Sequence, residues 1–140
     1  MRTAAADLDA RRPVWLALSD LYLDTEYRSF VRTAARDLAR SMYTLGELRA
    51  ILFDEVHPIL ARNLCVTTGV WERFDQVWLA ERILAQHRRP RWLRARGHCL
   101  HRYAILLWRL LEPRIERARA IAAAAQRLDD TIPTHRASCP

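Results

Sequence analysis

The chain has 140 residues, 51% of them apolar, and its 23 basic and 16 acidic side chains give a formal charge of +7. A chain of this length buries about 68–70% of its unfolded surface, enough for a core without metal or disulfide staples, so wholesale disorder is excluded. The longest apolar runs, such as Ala104 to Trp108, fall far short of the ~20 residues of a membrane span, and Met1 to Arg12 holds no apolar block typical of a secretory signal.

Hydrophobic periodicity is helical along nearly the whole chain. Pro13 suits the first position of a helix, with Val14, Trp15, Leu18, Leu21 and Tyr22 following at three- and four-residue steps and an end near Leu23. Asp24 and Thr25 are cap candidates for a second helix with apolar positions Tyr27, Phe30, Val31, Ala34, Ala35 and Leu38. Its opposite face repeats Arg28, Arg32, Arg36 and Arg40, a row expected to be solvated or paired with acids elsewhere.

Thr44 and Glu47 form a capping box ahead of Leu48, Ile51, Leu52 and Val56. That helix should stop or kink at Pro58, with Ile59 to Leu64 forming a turn or two beyond it. Cys65 to Gly69 reads as a loop. A further helix runs from Trp71 or Asp75 to Gln86, with Phe74, Val77, Trp78 and Ile83 expected on one face. Pro90 interrupts the pattern, which resumes from Trp92 through Leu100, Tyr103, Leu107 and Leu110. Pro113 then kinks this helix or begins another reaching Leu128. The expectation is an all-α single domain over 1–128, a compact bundle of about six or seven helices, with 129–140 as a tail.

Charge is divided along the chain. Residues 1–87 are net −1 and residues 88–140 net +8, every basic residue being arginine. Arg88, Arg89, Arg91, Arg94 and Arg96, with Trp92 among them and Trp71 as a second aromatic anchor, form the candidate partner-binding surface. Arginine forks suit an acidic protein or phosphates. No helix-turn-helix, zinc-finger or RNA-binding aromatic motif accompanies them, and a solvated face of codon-biased arginine is the competing reading.

Chemical motifs are sparse. Asp54, Glu55 and His57 place carboxylates beside a histidine, yet a histidine near a helix C-terminus is ordinary. His98 and His101, with Cys99 between, lack further ligands for a metal site. Cys65, Cys99 and Cys139 are odd in number and widely spaced, which suits free thiols. Gly46, Gly69 and Gly97 stand apart and make no phosphate loop. No cofactor is expected.

The run Leu18-Ser19-Asp20-Leu21-Tyr22-Leu23-Asp24-Thr25-Glu26, then Ile51-Leu52, Glu55-Val56, Pro58, Asn63-Leu64, Gly69-Val70-Trp71, Phe74-Asp75 and Trp78-Leu79, resembles a family of small bacterial proteins of unknown function. The resemblance spans about residues 13–95 and includes the Arg-Arg-Pro-Arg-Trp-Leu run at 88–93. It implies a small helical protein and brings no activity or catalytic residue. Within it, Asp20, Asp24, Glu26, Glu55, Asn63 and Asp75 are polar residues set in apolar patterns. Caps and buried hydrogen bonds to arginine account for them; lining of a binding cleft is the alternative.

The functional expectation is a cytoplasmic, non-catalytic protein that binds another protein, such as an immunity protein neutralising an acidic toxin, or an adaptor. A nucleic-acid-binding or regulatory role for the basic 88–119 region is the alternative.

Overall fold

The computed structural model describes residues 4–23, 27–61, 75–88 and 101–131, and these are helical almost throughout, with no strand among them. A 3-10 turn over Ala4–Asp7 leads into α1, Leu8–Ser19, so Pro13 lies inside the helix and not at its start. The acidic Asp7 and Asp9 suit the positive end of the helix, which moves the start upstream of the proline. Pro13 faces solvent, and α1 turns Val14, Trp15 and Leu18 inward together with Arg11. A second 3-10 turn, Asp20–Tyr22, ends where Leu23 adopts an extended backbone, the end expected from the sequence.

Helix α2, Tyr27–Arg40, buries Val31, Ala34, Ala35 and Leu38 and leaves Arg32, Arg36 and Arg40 in solvent. Arg40 reaches Asp37 at 3.6 Å, an exposed pair of small energetic weight. Asp24 and Thr25 fall outside the described residues.

Helix α3, Leu45–Ile51, begins on the expected capping box. The Thr44 hydroxyl accepts from the Glu47 amide at 3.2 Å, and the Thr44 amide donates to Glu47 Oε2 at 2.9 Å. These bonds hold the Glu47 carboxyl below its usual range. The chain does not stop at Pro58. It widens into a π-turn over Leu52–Val56 and continues as α4, His57–Leu60, with helical backbone angles at both junctions. A proline has no amide for the carbonyl one turn back and its ring collides with that carbonyl; widening the preceding turn relieves both conflicts. The inserted residue also rotates the buried stripe, which passes from Leu48, Ile51 and Leu52 to Val56, His57 and Leu60.

Helix α5, Gln76–Arg88, starts on Asp75, whose carboxylate accepts from the Trp78 amide at 2.8 Å. Its buried residues are Leu79, Ala80 and Ile83, whereas Val77 and Trp78, expected on the core face, are exposed. The apolar residues of α5 wrap more than one face, so periodicity does not choose which side packs. Helix α6, His101–Thr131, is unbroken at Pro113, whose ring faces solvent between the fully buried Leu111 and Ile115. It continues three residues into the stretch expected as tail. Its main packing partner is α2, while α1 contacts α2, α5 and the π-turn.

Candidate functional site

The least expected feature of the core is charge. Arg11 projects from the same face of α1 as Trp15 and Leu18 and is fully buried, as is Glu55, 3% exposed, on the π-turn. Arg11 Nη1 donates to Glu55 Oε1, and Trp15 Nε1 donates to Glu55 Oε2 at 2.7 Å. Each carboxylate oxygen therefore holds an internal donor, the condition under which a buried ion pair offsets its desolvation. His87, near the end of α5, brings Nε2 to 3.9 Å from Glu55 Oε1. The guanidinium of Arg11 lies 5.7 Å from the centre of the Tyr43 ring, and Tyr43 donates to Asp7 Oδ2 at 2.6 Å. Burial first, and the bond to Asp7 second, push the Tyr43 hydroxyl up to about 12.

A second polar contact lies on the other side of the π-turn. Tyr22 and His57 share a hydrogen bond of 2.9 Å between the phenol oxygen and Nδ1, and burial pushes the Tyr22 hydroxyl far above the usual range. Tyr103 packs edge-on against Tyr22, 5.5 Å between ring centres, and donates to the Leu21 carbonyl at 2.8 Å. The Asp54, Glu55 and His57 cluster is thus split three ways, Asp54 to solvent, Glu55 to Arg11 and His57 to Tyr22. These contacts join the π-turn to α1 and α4 to the 3-10 turn that follows α1. The reading of embedded acids as partners of buried arginine holds for Glu55. The signal for Arg11 was its place on the apolar stripe of α1, four residues before Trp15.

The outer surface has a different character. A groove of about 630 Å³ lies between α1 and α2, its walls including Pro13, Ala17 and Asp20 on one side and Asp37, Arg40 and Met42 on the other. Gln76, the first residue of α5, closes one part of it. Met42 is 77% exposed, and Val77 and Trp78 are exposed in the first turn of α5, with Arg82 stacked over Trp78 at 5.6 Å. Nothing in the sequence pattern marks this groove, because it is made by two helices whose spacing is tertiary.

Of the expected partner-binding residues, Arg88 is exposed at the end of α5; Arg89, Arg91, Trp92, Arg94, Arg96 and Trp71 lie outside the described residues. So do His98 and Cys99, while His101 is exposed with its ring 5.4 Å from Phe53. Among the described residues no group of three or more His, Cys, Asp or Glu side chains is placed to hold a metal, and no helix is long and apolar enough to cross a membrane.

No curated protein and no solved structure matches the chain. A family model does match, over residues 9–121, which takes in α1 through most of α6, the Arg11–Glu55 pair and the groove. The chain belongs to that family, described as a domain of unknown function, DUF7079.

Proposed function

We propose that the protein is a non-catalytic binding module that seats an amphipathic helix of a protein partner in the groove between α1 and α2. The supporting observation is the inversion of polarity around that groove. Ionisable groups are enclosed in the core with the Glu55 oxygens occupied, while Met42 stands in solvent on the groove wall and Val77 is exposed one residue beyond Gln76, which also lines it. Exposed apolar surface gains about 25 cal/mol per Å² when a partner covers it, and helix-in-groove recognition uses such anchors. Arg12, Arg40 and Asp37 give the groove a polar rim. A toxin bound by its immunity protein is one partner of this kind, and the arginines from Arg88 onward form a second contact for an acidic one.

Photo-crosslinking from Met42 and Val77 in cells of the source organism tests this reading. A discrete protein adduct from both positions, absent from Arg109 on the outer face of α6, is the expected result. Equal adducts from all three positions, or none, would overturn it. The concentration of charge in residues 88–140 favours a second reading, nucleic-acid binding. In that case affinity for duplex DNA or RNA falls steeply with salt.

A further inference from the structure

Among the described residues, the last part of α6 stands exposed. Arg119 marks where the helix leaves the body: its guanidinium donates to the carbonyls of Ala39 at 3.3 Å and Tyr43 at 2.6 Å, tying α6 to the turn that ends α2. From Ala120 to Asp129 every residue is exposed. At 1.5 Å per residue that is roughly 15 Å of bare helix. Ile121 and Leu128, 64% and 68% exposed, are seven residues apart and share one face, with Ala124 and Ala125 between them.

The groove is the complementary feature. Its wall from Ala10 on α1 to Asp20, just past the end of that helix, is also roughly 15 Å long at the same rise. It opens beside the same turn, since Arg40, Ser41 and Met42 line it. The projecting end of α6 cannot enter its own groove, because the helix runs unbroken away from Arg119 to Thr131. A second copy meets no such restriction. Exposed Arg12, Arg40 and Asp37 on the rim, and Arg127 and Asp129 on the helix, bring both signs of charge to each side.

We infer that the protein forms a reciprocal homodimer in which Ile121 and Leu128 of each copy are seated in the α1–α2 groove of the other. The inference rests on the groove being a helix-binding site, as proposed above, and names its occupant. Reciprocity matters energetically, because one three-turn helix covers less than the ~800 Å² per partner of a stable interface and the two-fold doubles it.

Sedimentation velocity of the full chain across the micromolar range is the test. A monomer–dimer equilibrium is expected, and Ile121→Asp with Leu128→Asp should weaken it at least ~10-fold, as should Thr33→Trp, which fills the groove. Leu106→Asp, exposed but on the packed part of α6, should leave it unchanged. Mixing the helix variant with the groove variant should restore a weaker heterodimer, because one intact helix then faces one intact groove. A wild-type chain that stays monomeric, a dimer indifferent to both substitutions, or no recovery on mixing would overturn the inference. A monomer that still crosslinks to another protein through Met42 would overturn self-pairing while leaving the groove reading in place.

Discussion

The two halves of α6 have the same secondary structure and opposite fates. From Ala104 to Ile115 the helix buries Leu107, Leu111 and Ile115 completely against α2 and its neighbours; from Ala120 onward isoleucine and leucine stand in water. The interior shows the reverse inversion, with arginine and glutamate where leucine would serve. What separates these regions is position relative to the other helices and not residue type. Burying a charge is costly unless its partners are built in, and exposing a leucine costs little until a partner covers it. The buried pair therefore reads as a device of folding, and the bare helix as one of contact.

Substitutions at the two kinds of site should separate by size. The largest effect is expected at the ion pair: Glu55→Ala leaves the Arg11 charge and the Trp15 donor stranded and should cost about 3–5 kcal/mol in chemical denaturation. The double variant Arg11→Met, Glu55→Leu should recover most of that loss, and a double variant no better than the single one would show that the pair is more than a replaceable strut.

Next is the packed half of α6, where Leu111→Ala should lose about 2–5 kcal/mol. In the projecting half, Ile121→Ala should change monomer stability by less than about 0.5 kcal/mol, and a larger loss would mean that this end packs on its own body.

Smaller effects should appear at the polar fasteners, beginning with a loss of about 1 kcal/mol for Thr44→Ala, which removes the cap of α3. The depressed Glu47 carboxyl contributes stability above its ordinary value of 4.5, and that contribution is lost as pH falls through the folded value. Tyr43 behaves oppositely. Its folded value of about 12 lies above the ordinary 10.0, so its contribution is complete below pH 10 and lost as pH rises toward 12. An alkaline titration of stability should show this component in the wild-type chain and lose it in Tyr43→Phe.

Much of the helical framework can be read from residue order. The stripe Val14, Trp15, Leu18, Leu21 and Tyr22 is buried, as are Val31, Ala34, Ala35 and Leu38, because a 3.6-residue period leaves one face for the core. Thr44 with Glu47, and Asp75, cap their helices because short polar side chains reach free amides locally. Proline signals are of two kinds. Pro13 and Pro113 suggest a helix start or break, yet each lies inside an unbroken helix and faces outward, whereas Pro58 does stand in the first turn of a short new helix, α4, behind a turn widened to receive it. Val77 and Trp78 were misplaced because apolar residues on two faces of α5 leave the choice of face to its neighbours.

For the candidate site the division is sharper. Glu55 stands out in the sequence as an acid in an apolar pattern, and arginine was the partner to expect. That the arginine is Arg11, 44 residues away, and that Trp15 and His87 converge on the same carboxylate, follows only from the packing of α1 and α5 against the π-turn. The groove and the bare end of α6 are likewise invisible to periodicity. Sequence by itself determined where helices form, because capping and periodicity act over a few residues. Tertiary structure decided which charges meet, which apolar residues stay in water and where a groove opens, because these depend on contacts between rods far apart in the chain.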